Sequence, residues 1–188
     1  LKKLPANAGR TLLLNIGSYD KAYNLCLCPN CKAVQKEYKS SGAPLILYLI
    51  DLAKKHPEIQ FFTDAYQRSL TQIPPVLNEK LPNNLIINLA PINAHFSHSW
   101  AATSLNRLTR DDIINWSKLT KRILLWYYPN PYIRDGRFIS DPSVAMERIS
   151  RDIKFLRDCG IEGTFFEHDA GGLTEHTNFA ALQSYVML

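Results

Sequence analysis

The sequence contains no long apolar run and no concentrated run of basic residues. No stretch reaches the roughly 18 consecutive apolar residues that cross a bilayer as a helix, so the sequence predicts no membrane span. The net charge is +5, yet lysine and arginine are scattered and mostly have acidic neighbours, as in RDD at 110–112. Without a basic run or a glycine-rich RNA-binding signature, the sequence does not favour nucleic acid as a partner.

The sequence also lacks an initiating methionine, since it begins at Leu1. Its last residues, FAALQSYVML, still have the pattern of a helix, so we expect the chain to be a piece of a longer protein. The missing signal peptide then says nothing about export. Residues 1–188 are 46% hydrophobic, which is enough to bury a core, and their number suits a single domain.

Five near-continuous apolar segments predict the strands of a parallel sheet, because strands that are buried on both faces carry no regular polar alternation. The predicted strands are residues 12–16, 59–66, 85–90, 122–128 and 161–167. The predicted helices are residues 32–41, 44–56, about 109–122 and 142–159, with a proline-bearing segment at 73–81 and a last helix from about 178.

Apolar spacing and end signals predict how these helices are oriented. Thr109 or Asp111 is predicted to cap the third helix, and Gly160 is predicted to end the fourth as its C′ residue. The residues predicted to face the core are Leu45, Leu47, Tyr48, Ile50, Leu52 and Ala53 in the second helix and Ile113, Ile114, Trp116 and Leu119 in the third.

The order of these elements predicts an α/β fold, either a closed (β/α)8 barrel of the TIM type or an open doubly wound sheet. Two features favour the barrel. No glycine-rich phosphate loop follows any predicted strand, and every strand ends in polar or aromatic residues, as the catalytic face of a barrel requires. A complete barrel needs eight strands in about 250 residues, so we expect this chain to supply the later part, about strands four to eight.

Three cysteines lie close together at Cys26, Cys28 and Cys31. This spacing can place three thiolates around one structural Zn²⁺ ion, with Cys159, His56 or an upstream residue as the fourth ligand. A disulfide with one free thiol is the alternative. Three thiolates and a closed fourth position leave no room for substrate at the ion, so the zinc is not predicted to be catalytic. No other cofactor is predicted for catalysis.

Carboxylates at the strand ends are the candidates for chemistry, because glycosidic bond hydrolysis needs an acid for the leaving oxygen. It also needs a second group at the anomeric carbon, unless the substrate's own N-acetyl group attacks. Glu167 follows two phenylalanines, which favours a raised pKa and a role as general acid. Each acid could equally be a loop cap or a salt-bridge partner. The candidates are Asp20, Asp64, Glu167 and Asp169.

Aromatic and histidine side chains also gather at the strand ends. His95 and His98 follow the third strand, and they could bind sugar hydroxyls. Among Trp126, Tyr127 and Tyr128, which end the fourth strand, one is predicted to stack on a sugar ring and the others to lie in the core.

Several short motifs occur in the order found in one bacterial family. These motifs make the chain resemble the family called domain of unknown function 4838. In order along the chain they are a loop acid followed by CxCPxC, AYQ at 65–67, the proline pair 74–75, PI at 91–92 with FxH at 96–98, WxY at 126–128, and a GxFE-like segment at 163–167. The resemblance covers nearly the whole chain.

This resemblance implies a barrel glycosidase. The family is similar to glycoside hydrolase family 163, whose members are endo-β-N-acetylglucosaminidases acting on N-glycans, so the implied partner is an oligosaccharide. The implied location is secreted, periplasmic or at the cell surface. The cysteine segment resembles the zinc-binding CxCxxC of family 42 β-galactosidases, where an earlier loop supplies the fourth cysteine.

The residues and the resemblance together leave three hypotheses, the third of which is an unrelated barrel enzyme. The first is a glycoside hydrolase acting at β-linked N-acetylglucosamine, with Glu167 as acid and Asp20 or Asp64 as its partner. Asn93 and Tyr127 stand where the family usually has acids, so the second is a glycan-binding pseudo-enzyme. The third is a uronic-acid hydrolase with Arg68, Arg134 or Arg137 as a clamp. The expected substrate contacts are Tyr66, Asn93, His98, Trp126, Tyr128 and Asp169.

Overall fold

The computed structural model describes residues 12–18, 25–96, 98–102, 104–128 and 142–166, with the backbone alone for 142–146 and 166. Two helices separate the first and second strands along these residues, and one long helix precedes each of the fourth and fifth strands. A π-helical turn, Gln67–Thr71, follows the second strand, and a 3₁₀ turn, Ser104–Asn106, precedes the third long helix. The main elements are β1 (Leu12–Asn15), α1 (Pro29–Glu37), α2 (Ala43–Lys55), β2 (Ile59–Tyr66), β3 (Leu85–Ala90), α3 (Arg107–Leu119), β4 (Ile123–Tyr127), α4 (Pro142–Asp158) and β5 (Gly163–Phe166).

The five strands form one parallel sheet in the order β1-β2-β3-β4-β5. The predicted α/β class with a parallel sheet is therefore confirmed. The bounds of β2 and β3 are those predicted, while β1, β4 and β5 are each shorter than predicted.

The two faces of this sheet differ in what covers them. We call one the helix face, because its side chains form a single core with α2, α3 and α4; it includes Phe61, Ile87 and Leu125. We call the other the open face. The open-face positions of the described strands are Leu13, Asn15, Gln60, Phe62, Asp64, Tyr66, Ile86, Asn88, Ala90, Leu124, Trp126, Gly163 and Phe165.

The prediction that β1 is buried throughout is wrong. Leu12 and Leu14 pack against the core from the helix face, but Leu13 is 55% exposed because it projects from the open face. Within the described part of the chain β1 lies at one edge of the sheet, paired with β2.

The predicted orientation of α2 is also partly wrong. Its buried residues are Ala43, Ile46, Leu49, Ile50 and Ala53, which repeat every three or four positions. Tyr48 was predicted to face the core, but it is 55% exposed, and Leu45, Leu47 and Leu52 are half-buried. The error arose because α2 is apolar on nearly every side, so spacing alone did not identify the side that meets the sheet.

Helix α3 begins before the residues that were predicted to cap it. Thr109 and Asp111 lie inside the helix, and Asn106 occupies the cap position. The predicted inward residues Ile113, Trp116 and Leu119 are buried, while Ile114 is half-buried.

Gly160 ends α4 as predicted. Its φ of +76° lies in the left-handed region that glycine adopts without strain. Gly160 N–H donates to the carbonyl of Arg157 at 2.8 Å, and Ile161 N–H donates to the carbonyl of Leu156 at 3.1 Å. These two bonds are the Schellman pair that closes a helix and turns the chain into the next strand.

Candidate functional site at the carboxyl ends of the strands

A carboxylate and an amide lie side by side on the open face. Asp64 of β2 is in register with Asn88 of β3, and Asn88 Nδ2 donates to Asp64 Oδ1 at 2.7 Å. Asn88 is only 4% exposed, whereas Asp64 is half-buried. The amide therefore holds one carboxylate oxygen in place and leaves the second oxygen to other partners.

The second oxygen of Asp64 faces the segment that follows β1. A Cβ atom built on Gly17 would lie 3.6 Å from Asp64 Oδ2 and 3.8 Å from Asn15 Oδ1. The absence of a side chain at Gly17 thus leaves room above the carboxylate.

An aromatic pair lies on the same face, two strands away. The rings of Trp126 in β4 and Phe165 in β5 meet edge to face, with centroids 4.8 Å apart at 69°. Phe165 is 55% exposed, so the pair presents apolar ring surface on the open face. A carboxylate and an aromatic surface on one face of a sheet are a suitable combination for a sugar, which offers both hydroxyl groups and an apolar face.

The chain turns sharply where β2 ends. Gln67 has a φ of +53°, which is strained for a residue with a Cβ atom. The Thr71 hydroxyl stabilises the turn, since it donates to the carbonyl of Asp64 at 2.8 Å and accepts from Tyr66 N–H at 3.0 Å. Tyr66 is half-buried and ends β2 on the open face.

The loops after β2 and β3 contact each other through Asn93. Its side chain is exposed, and its Oδ1 accepts from the backbone N–H of Arg68 at 3.4 Å. In the described structure Asn93 therefore links two loops beside the site.

Arg68 forms an ion pair with Asp112 of α3, and Gln72 Nε2 donates to the same carboxylate oxygen at 2.8 Å. Burial raises the pKa of Asp112, although the hydrogen bond from Gln72 and the charge of Arg68 oppose this shift. The guanidinium is thus bound on the helix side. Arg134 and Arg137 lie outside the described residues.

The loop after β3 carries both histidines and is held from two sides. Asn106 Nδ2 donates to the carbonyls of His95 and His98, each at 2.9 Å. Asp152 of α4 accepts from the Ser99 hydroxyl and from Trp100 N–H, each at 2.7 Å. His98 itself is exposed.

The three aromatic residues at the end of β4 lie in different places. Trp126 is on the open face, whereas Tyr127 is fully buried on the helix face and its hydroxyl donates to Asp152 Oδ2 at 2.7 Å. Tyr128 is 5% exposed and packs edge to face on Phe96. Position 127 therefore does not project toward Asp64.

Three of the predicted site residues cannot be placed. Asp20, Glu167 and Asp169 lie outside the described residues, and Glu167 directly follows β5 in sequence. Sequence reasoning missed Asn88 and Phe165. The signal for Asn88 was a polar residue inside the otherwise apolar strand LIINLA.

The cysteine cluster lies at the start of α1. The sulfur atoms of Cys26, Cys28 and Cys31 all lie within 4.8 Å of one another. Sulfur ligands of tetrahedral zinc are about 3.8 Å apart for a Zn–S bond of about 2.3 Å, so a small closure would bring the three to one ion. The cluster could therefore bind a metal ion.

The thiols of Cys26 and Cys28 are exposed and that of Cys31 is half-buried, and the three interact with each other. Cys28 is the N-cap of α1, and its sulfur accepts from Cys31 N–H at 3.4 Å. This bond, with those from Cys26 and Cys31 side chains, lowers the pKa of Cys28, while hydrogen bonds to Cys26 and Cys28 raise the pKa of Cys31 to about 11. All four cysteines are free thiols. Among the described residues, neither His56 nor Cys159 belongs to the cluster.

None of the helices within the described ranges combines the length and the hydropathy that a membrane crossing requires.

The family described as "Domain of unknown function (DUF4838)" matches the chain over residues 1–188. Comparisons with curated proteins and with solved structures gave no match.

Proposed function

The chain belongs to the DUF4838 family, and we propose that it is part of a glycoside hydrolase acting on glycans at β-linked N-acetylglucosamine. One observation carries this proposal. The carboxylate of Asp64, held by Asn88, shares the open face with the ring surface of Trp126 and Phe165. The similarity of the sequence to barrel glycosidases points to the same chemistry.

We further propose that the sheet is part of a (β/α)8 barrel, with these strands as about the fourth to the eighth. The strand order follows the chain without reversal, and the core joins α2, α3 and α4 to one face. A doubly wound sheet reverses its strand order and carries helices on both faces. In a barrel the open face would line the interior, and the carboxyl ends of the strands would form the active site.

The roles proposed for individual residues follow from this placement. Glu167 is the general acid, and Asp64 or Asp20 stabilises or attacks the anomeric carbon, or orients the acetamido group. Tyr66, Trp126 and His98 contact the sugar. Asn93, Tyr128 and Asp169 remain proposed as substrate-binding residues, although the contacts of Tyr128 with Phe96 give it a packing role as well.

Two variants test the hydrolase directly. We would incubate the native full-length protein, Glu167→Gln and Asp64→Asn with N-glycoproteins and analyse released sugars by mass spectrometry. Loss of a general acid reduces rates by about 10²–10⁴-fold, so we expect release by the native protein and little by either variant. Glu79→Gln and Asp111→Asn remove exposed acids that pair with Lys54 and Arg107 on the outside of the fold, and both should retain activity.

A glycan-binding domain without catalysis is the second candidate. One observation favours it: within the described strands, Asp64 is the single acidic side chain on the open face, and its partner is an amide. Retained binding of N-glycans by the native protein without any released sugar would support binding alone.

For the cysteine cluster we propose a structural zinc ion, with its fourth ligand from outside the described residues. Cys28 is the N-cap of α1 and Cys31 lies in its first turn, so the ion would fix the loop after β1 to that helix. When bound, zinc would supply structural cross-linking of this loop and no step of the reaction.

We also propose that the protein is secreted, periplasmic or on the cell surface, where glycans are available. This proposal rests on the resemblance to barrel glycosidases.

A further inference from the structure

One buried carboxylate connects two parts of the candidate site. Asp152 lies in α4 and is fully buried. It accepts three hydrogen bonds, from the Ser99 hydroxyl, the Trp100 backbone N–H and the Tyr127 hydroxyl, each at 2.7 Å.

These three donors belong to the two segments that carry proposed sugar contacts. Ser99 directly follows His98 in the loop after β3, and Tyr127 directly follows Trp126 at the end of β4. The ring of Trp100 also packs on Tyr127, with centroids 4.8 Å apart. Asp152 therefore links the histidine loop to the strand end that bears Trp126.

A carboxylate is a costly choice for this position if packing were its only purpose. Burying a charge is unfavourable unless it is paired and fully hydrogen-bonded, and an apolar side chain often stabilises a core equally well. Burial raises the pKa of Asp152, although its three hydrogen bonds and the charge of Arg148 oppose this shift. Arg148 lies one turn earlier in α4 and is also buried. The acceptor geometry selects one arrangement of loop and strand, because any shift leaves a buried donor unpaired.

We propose that Asp152 is a positioning residue for the candidate site, holding the loop of His98 against the strand end of Trp126. The inference rests on the proposed function, since the residues it positions are the proposed sugar contacts.

The test compares Asp152→Ala, Asp152→Asn and Tyr127→Phe in the full-length protein. Misplacement of a contact by about 1 Å can reduce rates by about 100-fold. We expect Asp152→Ala to lower kcat/KM on an N-glycan by about 10- to 100-fold. Asp152→Asn should have a smaller effect, since its amide oxygen accepts from Ser99 and Trp100 while its NH₂ can donate to the Tyr127 oxygen. If Asp152→Ala does not fold, Asp152→Asn and Tyr127→Phe carry the test.

A matched control separates positioning from stability. Asn84 Nδ2 also has three partners, the backbone carbonyls of Ala53, His56 and Ile59 at 2.9–3.1 Å, but it lies at the opposite end of the strands. Asn84→Ala should lower the melting temperature and leave kcat/KM unchanged below the unfolding transition. Equal losses of kcat/KM in the Asn84 and Asp152 variants would overturn the proposal.

Hydrogen exchange provides a readout that does not need activity. In Tyr127→Phe, which removes the hydrogen bond from β4 to Asp152, we expect faster exchange of amides at 95–102 and 123–128 than in the native protein, with α2 unchanged. Unchanged exchange in these segments would overturn the inference. If the native protein neither cleaves nor binds glycans, the proposed function fails instead, and exchange alone decides whether Asp152 holds the loop.

Discussion

At the scale of single residues, the candidate site depends on side chains that share a face because they share a register. Asp64 and Asn88 are opposite each other on neighbouring strands, so their hydrogen bond follows from the pairing of β2 with β3. Trp126 reaches the same face because it occupies an even position of β4, while Tyr127 beside it points into the core.

We expect Trp126→Ala to weaken glycan binding by about tenfold. Contacts between aromatic rings contribute roughly 0.5–1.5 kcal/mol, and about 1.4 kcal/mol corresponds to a factor of ten in Kd. Isothermal titration with an N-glycan measures the effect. Trp126→Phe should lose less, and Tyr48→Ala, which removes an exposed ring from the outside of α2, is the matched control. Equal affinity in Trp126→Ala and the native protein would contradict the sugar contact.

The raised pKa of Asp112, which pairs with Arg68, predicts how the stability of the fold changes with pH. Its pKa is raised by burial, so the folded protein binds the proton more tightly than the unfolded chain does. Stability from this residue is therefore greatest below the unfolded pKa and falls as pH rises through the higher folded value. In urea titrations at a series of acidic pH values, native protein should lose stability relative to Asp112→Asn as pH increases.

Glu79→Gln serves as the control for that measurement, because it removes an exposed carboxylate that pairs with Lys54. If the stability difference between the native protein and Asp112→Asn stays constant with pH, burial does not raise the pKa of Asp112.

At single residues, the sequence could predict only properties that depend on neighbours along the chain. Strand alternation cannot reveal that Asp152 lies under Ser99 and Tyr127, because the three residues are brought together by the packing of α4. Asn88 was visible as a polar residue in an apolar strand, but its partner became identifiable only from the register of the sheet.

At the scale of elements, the ends of β2 and β3 were predictable because turn-forming residues flank compact apolar runs. The end of α4 was predictable because the left-handed residue after it is glycine. The buried side of α2 was not predictable, because the helix has its own apolar residues on nearly every side and only packing against the sheet decides which side is covered.

The cysteine cluster makes an element-scale prediction. If Cys26, Cys28 and Cys31 bind structural zinc, the native full-length protein should contain about one Zn²⁺ per chain by elemental analysis. Cys28→Ser should lose the metal and lower the melting temperature, because zinc binding stabilises the folded loop and removal of a ligand weakens it.

Cys159→Ser is the matched control for this prediction, since that thiol lies outside the cluster and should not affect the metal content. A structural role for zinc would be excluded if the native protein purifies without zinc and neither added Zn²⁺ nor a chelator changes its melting temperature.

At the scale of the whole molecule, the exposure of the open face provides a test of the proposed barrel. Leu13 of β1 is 55% exposed on this face. The proposed barrel would cover Leu13 with further strands, and it would also bring the carboxyl ends of all strands around one cleft.

This barrel can be tested with two residues that are equally exposed in the described structure. Leu13 on the open face is 55% exposed and Val76, in the segment after the π-helical turn, is 59% exposed. If the open face lines a barrel interior, Leu13→Asp places an unpaired charge in a core and should destabilise the full-length protein by more than about 3 kcal/mol in urea unfolding. Val76→Asp should change stability by less than about 1 kcal/mol, because its side chain stays in water. Similar small effects of both substitutions would argue against a closed barrel and for a sheet whose open face remains in solvent.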